Sequence, residues 1–278
     1  VLSNNDGCIV SRSDEAKKLG IAMAAPYFQE AERIKQFGVH TFSSNYHLYG
    51  DLSWRVMETM RSLLPPGHVE VYSVDEAFVD LQHIAEKDLY DFCIHLKNTI
   101  ESWTGISVSI GAAPNKVLSK VANRLAKKNK IQTNCVVILD STQKIQTALQ
   151  KTPIEDVWGI GNRTTKKAKL RNIHTAFDFI QPHQEPWIRK ELGVLGLRLK
   201  YELEGKSVLD LEPIPNAKKS IATTRSFPKQ ISDFDLLRER VATFAAICAE
   251  KLRNQNSCCH TIIVMLVIDR HTVKTSKY

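Results

Sequence analysis

Apolar residues recur at two spacings along this chain, and each spacing predicts one type of secondary structure. Between residues 52 and 64 they fall every three or four positions, which predicts an amphipathic helix that ends at Pro65-Pro66-Gly67. The same spacing predicts further helices over residues 14–19, 26–37, 88–103, 115–129 and 235–252. From residue 141 to residue 205 the patterns are all helical, with a Gly159-Ile160-Gly161 turn among them.

Alternating apolar and polar residues predict the strands. Residues 69–80 hold two alternating runs that meet at Asp75 and Glu76, which predicts a hairpin with both acids at its tip. A further alternating strand is predicted over residues 106–110, continuous apolar runs predict strands over 135–139 and 261–268, and residues 220–227 are a strand candidate. Strands with long helices laid over one face are typical of an α+β layer architecture. The Pro-rich, polar residues 206–219 predict a loosely packed linker.

The charge of the chain indicates its kind of partner. Its 278 residues carry a formal net charge of +8, and a basic surface favours polyanions. No apolar run reaches the length of a membrane span, so nucleic acid is favoured over a membrane. The six cysteines lack the spacing of a disulfide framework or a zinc site, which indicates a reducing, cytoplasmic setting. The chain starts at Val1 inside a predicted strand end, so we expect it to be part of a longer protein.

The paired acids Asp75 and Glu76 are candidate metal ligands. Mg²⁺ prefers hard oxygen ligands and commonly takes a few carboxylates, with phosphates and waters completing its shell. Two such ions can hold the attacking and leaving oxygens of a phosphoryl transfer. The alternative is ordinary turn chemistry, because acidic residues are common at hairpin tips.

A basic face is predicted on the helix over residues 115–129. Five basic residues follow one another at helical spacing with no acid among them: Lys116, Lys120, Arg124, Lys127 and Lys128. Unbalanced positive charge directly after the acidic hairpin favours contact with phosphates. The alternative is a solvated helix face, which is what most charge runs are.

The Gly159-Ile160-Gly161 turn is typical of a helix-hairpin-helix, which binds the nucleic-acid backbone without reading bases. Glycine allows close backbone approach, and the start of the next helix favours phosphate. That helix carries a basic run without acids: Arg163, Lys166, Lys167, Lys169 and Arg171. The alternative is a plain helix–helix turn.

In this order, the motifs resemble those of the Y-family translesion DNA polymerases, and within them the UmuC branch. The similar passages are Val1-Leu-Ser-Asn-Asn-Asp-Gly-Cys8, Glu15-Ala-Lys-Lys-Leu-Gly20, Phe42-Ser-Ser-Asn-Tyr46, Tyr72-Ser-Val-Asp-Glu-Ala-Phe78, Asp156-Val-Trp-Gly-Ile-Gly161 and Arg225-Ser-Phe227. Each motif alone is weak, but their order along the whole chain is highly specific.

The resemblance implies an α+β right-hand DNA polymerase. It implies fingers over residues 1–46, a ferredoxin-like palm over 47–139, a helical thumb with a helix-hairpin-helix over 140–205, a linker over 206–219 and an incomplete little finger over 220–278. It also implies error-prone translesion synthesis in SOS-type DNA damage tolerance and repair, with two Mg²⁺ ions assisting nucleotidyl transfer. The implied partners are primer-template DNA, deoxynucleoside triphosphates, a UmuD-type accessory protein, a RecA filament and a sliding clamp, with the enzyme acting at the nucleoid.

The resemblance also assigns roles to single residues. Asp75 and Glu76 match catalytic, metal-binding palm acids. The residues that match nucleotide-binding positions are Lys17, Asn45, Tyr46, Ser73 and Lys127. The positions expected to contact DNA are Lys116, Lys120, Arg124, Gly159, Gly161, Arg163, Thr164, Lys166 and Lys167.

One departure from the family pattern bears on activity. The family's opening strand carries the first metal-binding Asp and then an aromatic residue that excludes the ribose 2′-hydroxyl. Neither is in this sequence, and Asp6 lies downstream of the matching position. We therefore expect these 278 residues, made alone, to be inactive or nearly so. The competing hypotheses are a non-catalytic nucleic-acid-binding protein that uses the hairpin and basic helices, and another two-metal enzyme such as a nucleotide cyclase.

Overall fold

The computed structural model describes residues 1–3, 7–214, 217–227 and 230–267. The described residues within Val1–Tyr46 and Asn216–Tyr278 form one compact unit, and those within His47–Pro215 form another. Asp6 and Ile268, which the sequence predictions named, lie outside the described residues. Within the described part, no helix combines the length and the apolar character needed to cross a bilayer.

The first unit begins with a small three-stranded sheet and two short helices. Its elements are β1 (Leu2–Ser3), β2 (Ile9–Ser11), α1 (Asp14–Lys18), α2 (Tyr27–Gln36) and β3 (Phe42–Ser43). Strand β1 lies in the middle, antiparallel to β2 and parallel to β3. Ser13 caps α1 by accepting from the Ala16 amide, and Ile9, Ile21 and Ile34 form the buried core.

The second unit combines two strand pairs with helices. Its elements are α3 (Tyr46–Leu63), β4 (Val69–Val71), β5 (Ala77–Val79), α4 (Leu89–Thr104), β6 (Ile110–Ala112), α5 (Lys116–Lys128), α6 (Lys130–Thr133), β7 (Val136–Ile138), α7 (Thr142–Lys151), α8 (Asn162–Lys169), α9 (Ala176–Phe179) and α10 (Glu185–Leu203). Strands β4 and β5 form an antiparallel hairpin, and β6 pairs in parallel with β7 through the α5 crossover. The helix α11 (Phe234–Asn254) belongs to the first unit.

Helix α5 is the centre of the second unit. Asn115 caps it by accepting from the Leu118 amide at 3.0 Å, and Val117, Leu118 and Val121 are buried beneath it. These residues share one core with apolar residues of α7 to α10. The α5 helix therefore joins the strand region and the helical region through continuous packing.

Most predicted helices are confirmed, although three predicted strands are not. The helix predicted over residues 52–64 begins earlier, at Tyr46. The strand predicted over residues 106–110 is wrong apart from its last residue, because β6 begins at Ile110. The described residues of 220–227 and 261–267 form no strand, because no neighbouring backbone pairs with them there, and Ile262 stays 81% exposed. The predicted domain boundaries stay predictions.

The linker predicted as loosely packed is anchored at its start. The amides of Val208 and Leu209 donate to the carboxylate of Glu202 at 2.6 and 2.9 Å, and the Glu212 amide donates to Glu70 at 2.7 Å. Leu209 also packs against the main core. The composition of this segment could not show that two distant carboxylates receive its amides.

The cysteines follow the prediction. All six lie in the described part of the chain, and none is in a disulfide. Cys93 is fully buried in α4, and this burial raises the pKa of its thiol to about 11.

Candidate functional site

The predicted acidic pair lies in the turn between β4 and β5. The strand ends at Val71, earlier than its alternation suggested, and the amides of Tyr72 and Ser73 both donate to the Glu76 carbonyl at 3.0 Å. The Ser73 hydroxyl donates to an Asp75 carboxylate oxygen at 2.7 Å. We call residues 72–76 the carboxylate turn. Its own hydrogen bonds, rather than strand pairing, hold the two acids.

Glu76 contacts the basic face of α5. Lys120 on α5 donates to the Glu76 carboxylate at 2.6 Å, and both side chains keep partial exposure, 22% for Lys120 and 32% for Glu76. Asp75 is exposed. The acids therefore stand at the surface beside positive charge rather than inside a closed core.

The prediction that α5 carries an unbalanced positive face is wrong, because acids from other segments pair with most of its basic residues. Lys116 pairs with Glu70 at 2.5 Å, with only 13% of its side chain exposed, and Arg124 and Lys128 both pair with Asp156. Glu70 lies 46 residues from Lys116, and Asp156 lies 32 residues from Arg124 and 28 from Lys128. The charges of neighbouring residues in the sequence could not indicate these pairs. This arrangement leaves Lys116 little access to a DNA phosphate.

Asp156 is the shared partner of two basic residues of α5. Burial by itself raises the pKa of this carboxyl, but hydrogen bonds from Arg124 and Lys128 outweigh burial, so its pKa lies below the ordinary value. Asp156 therefore fixes the segment before the glycine turn to α5.

The glycine turn forms as predicted between buried anchors. Gly159 has a φ of 92°, and the Ile160 amide donates to the Val157 carbonyl at 3.0 Å, which closes a four-residue turn. Val157 and Ile160 are buried, at 2% and 8% exposure. Gly161 is the N-cap of α8, and nothing lies within 4 Å of the Cβ that a larger residue would place there.

The basic residues of α8 differ in their surroundings. Lys167 pairs with Glu191 at 2.5 Å and Lys169 with Glu155 at 2.9 Å. Arg163 and Lys166 are exposed and have no acidic partner within the part of the chain that the structure describes, and Thr164 is half-buried. Arg163 and Lys166 are therefore the members of this run most open to a phosphate.

An aromatic cluster joins the glycine turn to the carboxylate turn. The Trp158 indole N–H donates to the Tyr72 hydroxyl at 3.2 Å, and the two ring centroids lie 5.5 Å apart. Phe78 on β5 lies 5.6 Å from Tyr72 and 5.8 Å from Trp158. The polar contact between Trp158 and Tyr72 joins residues that are distant along the chain, which the local sequence pattern does not show.

The remaining candidate residues lie partly in the other unit. Lys17 pairs with Asp14 at 2.7 Å on α1, while Asn45 and Tyr46 are exposed at the start of α3. Lys127 belongs to α5, is exposed and has no ion-pair partner among the described residues. The structure thus brings together Ser73, Asp75, Glu76 and Lys120 in the second unit. Lys17, Asn45 and Tyr46 belong to the first unit.

Two buried polar residues at the site's base were missed by sequence reasoning. Glu202 is fully buried on α10, and its carboxylate accepts the Val117 amide at 3.3 Å as well as two linker amides. Glu70 on β4 accepts from both Lys116 and the Glu212 amide. A glutamate inside a predicted strand or helix carries no signal that it will be buried.

The donor set suits a hard cation in part. Asp75 and Glu76 offer carboxylate oxygens on an accessible turn, which are the ligands that Mg²⁺ prefers alongside phosphates and waters. No group of three or more His, Cys, Asp or Glu residues that could hold a metal occurs in the described part of the chain. Asp75 and Glu76 therefore fit as the protein ligands of a metal site whose remaining ligands come from a phosphate substrate and water.

Comparison with known proteins identifies the family. The family model "impB/mucB/samB family" matches residues 1–124, and the model of that family's C-terminal domain matches residues 218–277. Protein UmuC of Salmonella typhimurium is 44% identical over 264 residues, which cover 94% of this chain. The chain belongs to the impB/mucB/samB family.

Other relatives of this family member agree. Protein ImpB of Salmonella typhimurium is 40% identical over the whole chain, and DNA polymerase IV of Staphylococcus epidermidis is 25% identical over 95% of it. The chain spans 62% of the length of the UmuC relative and 65% of that of ImpB.

Solved structures show the fold. A Y-family DNA polymerase chimera superimposes with a TM-score of 0.70 at 19% identity, covering 90% of this chain and 72% of that one. DinB from Sulfolobus solfataricus superimposes with a TM-score of 0.64 at 23% identity, covering 77% of this chain and 61% of that one. The predicted α+β fold, shared with Y-family DNA polymerases, is therefore confirmed.

Proposed function

We propose that this chain is the polymerase portion of an error-prone translesion DNA polymerase that acts in DNA damage tolerance and repair. The observation that carries the proposal is the carboxylate turn: two adjacent accessible acids, of which Glu76 pairs with Lys120 of the basic helix, in a member of this family with a Y-family fold. Primer-template DNA and deoxynucleoside triphosphates are the proposed substrates. A UmuD-type protein, a RecA filament and a sliding clamp are the proposed partners, at the nucleoid in the cytoplasm.

Asp75 and Glu76 would hold the divalent metal, which we propose to be two Mg²⁺ ions. When bound, such ions neutralise the charge that develops as a primer 3′-hydroxyl displaces pyrophosphate from a nucleotide's α-phosphate. The protein's share is to hold the acids still. Ser73 orients Asp75 through its hydroxyl, and Lys120 positions Glu76.

Basic residues would bind the substrates' phosphates. Lys17 and Lys127 are proposed to contact the triphosphate, and Asn45 and Tyr46 to lie beside the nucleotide. Arg163, Thr164, Lys166 and the glycine turn are proposed to hold the duplex backbone, since a helix start and exposed cations favour phosphate. Lys120 and Arg124 already pair with acids, so their proposed contact with DNA requires an exchange of partners.

The test changes Asp75 in a full-length protein that carries this sequence. Asp75→Ala is expected to lower templated nucleotide incorporation about a thousandfold, because a metal ligand is worth several kcal/mol in the transition state. Duplex affinity, measured by fluorescence anisotropy, should change by less than about twofold, since phosphate contacts supply most of it.

Asp80→Asn is the matched control, because Asp80 lies at the other end of the same hairpin and caps the Gln82 amide at 2.9 Å. Its incorporation rate should equal that of the wild type. Equal rates for Asp75→Ala and the wild type would show that Asp75 and Glu76 are turn acids and would support the non-catalytic, DNA-binding alternative. The fold and the polymerase relative do not favour that alternative.

A further inference from the structure

Trp158 stands at a position whose backbone is fixed from both sides. It is the second residue of the Val157–Ile160 turn, whose two end residues are buried, and Gly159 supplies the positive φ that closes the turn. The indole therefore has little freedom to move with respect to α8, which begins three residues after Gly159 and carries residues of the proposed duplex contact.

The partner of Trp158 is the first residue of the carboxylate turn. The indole N–H donates to the Tyr72 hydroxyl at 3.2 Å, and the edge-on ring contact adds a second restraint. The Tyr72 amide in turn donates to the carbonyl of Glu76. A single hydrogen bond thus joins the glycine turn to the carboxylate turn, which holds both acids.

Lys120 links Tyr72 to Glu76 through a further pair of contacts. Its ammonium lies 5.6 Å from the Tyr72 ring centroid and donates to the Glu76 carboxylate at 2.6 Å. Tyr72 is consequently held by an indole on one side and by a lysine on the other, and it contacts the backbone and the salt bridge of Glu76.

We propose that Trp158 is a positioning residue, which fixes the carboxylate turn with respect to the glycine turn through its hydrogen bond to Tyr72. The effect on reaction rate that we infer rests on the proposed polymerase function. If the glycine turn and α8 hold the duplex, the fixed carboxylate turn keeps Asp75 and Glu76 at a constant distance from the primer end. Reaction rates depend steeply on such placement, since small displacements of reacting groups are costly.

The test removes the hydrogen bond and keeps an aromatic ring at each position. Trp158→Phe and Tyr72→Phe are made singly and together in a full-length protein that carries this sequence. Each is expected to lower kcat about threefold to tenfold, the value of one hydrogen bond, with duplex Kd changed less than about twofold. The double variant should lose no more than either single variant, because both remove the same interaction.

A second measurement needs no activity. The amides of Tyr72 and Ser73 should exchange with deuterium about threefold to tenfold faster in both single variants of this chain, because the turn that protects them has lost an anchor. Trp103→Phe and Tyr90→Phe are matched controls on α4: Trp103 is 64% exposed, and Tyr90 is 47% exposed against 46% for Tyr72. Both controls should exchange like the wild type.

The outcomes separate the two proposals. Unchanged amide exchange in both variants overturns the positioning role, and so do unchanged kcat values or losses that add in the double variant. A full-length wild type that incorporates no nucleotide would count against the polymerase function, while the exchange rates would still decide whether Trp158 positions the turn. A packing role alone is excluded if Tyr72→Phe, which keeps the ring and removes only the hydroxyl, exchanges faster than the wild type.

Discussion

The side-chain amide of Asn115 donates to the backbone carbonyl of Glu202 at 2.7 Å, although 87 residues separate them. In return, the Glu202 carboxylate accepts the amide of Val117, two residues after Asn115. The start of α5 and the end of α10 are therefore joined by buried hydrogen bonds in both directions. The carboxylate is fully buried and serves three backbone amides.

We expect Glu202→Ala to lower the free energy of unfolding by about 3 kcal/mol, because it leaves the buried Val117 amide and two partly buried linker amides without an acceptor. Urea unfolding followed by circular dichroism measures the loss. Glu191→Gln is the control, since Glu191 forms an exposed pair with Lys167 and such pairs contribute less than about 1 kcal/mol. Similar stabilities for the two variants would contradict the buried role of Glu202.

Gly111 on β6 lies directly against α5. A Cβ added there would come within 2.1 Å of the Asn123 amide nitrogen and 2.4 Å of the Ser119 carbonyl oxygen. We expect Gly111→Ala to lower the free energy of unfolding by about 3 kcal/mol or more, because helix and strand must separate. Thermal unfolding measures it.

Gly50 offers the opposite case for comparison. It lies inside α3 with nothing within 4 Å of the added methyl group, so Gly50→Ala should raise the free energy of unfolding by about 0.5–1 kcal/mol. Gly111→Ala and Gly50→Ala add the same methyl group, but they should change the free energy of unfolding in opposite directions. A neutral Gly111→Ala would mean that α5 does not pack on β6 as closely as described.

Asp156 should make stability depend on pH. Its folded pKa lies below its ordinary value of 3.8, so its contribution is present above that pH and is lost as the pH falls through the folded pKa. At pH 7, Asp156→Asn should be less stable than the wild type by about 1 kcal/mol, given its half-exposed partners. Urea unfolding should show this difference shrinking below pH 3.8; a difference that grows on acidification would contradict the pairing.

Duplex binding should be salt-dependent, and Arg163 and Lys166 should supply part of that dependence. Each change to Ala is expected to weaken binding to all duplex sequences and to lower the slope of log Kd against log salt by about one. Lys144→Ala removes the same charge from α7, where Lys144 pairs with Asp140, and should leave the slope unchanged. Binding that is insensitive to salt would contradict the polyanion argument.

The sequence predicted those features that depend on neighbouring residues. The apolar stripe of α5 and the turn at Gly159 each follow from local chemistry, and each is found. The position of the acids between two strands was also predictable from alternation, although strand β4 ends before them.

Long-range pairing accounts for what the sequence did not show. Glu70 and Asp156 neutralise a helix face that looked unopposed, and Glu202 receives amides of the predicted linker. Residues 261–267 form a strongly apolar run, but a strand also needs a backbone partner, and none pairs with them among the described residues. Each error concerns a contact between segments that are distant along the chain.

The joint between α5 and α10 limits how the molecule can move. Swinging one helix away from the other would break the two hydrogen bonds that the Asn115 side-chain amide and the Val117 amide donate to Glu202, which at about 1 kcal/mol each keeps the open form at about 3% of molecules. This joint is therefore a poor hinge. If templates of different width have to be accommodated, we expect the adjustment in side chains and in the nucleic acid, while the two helices move as one rigid body.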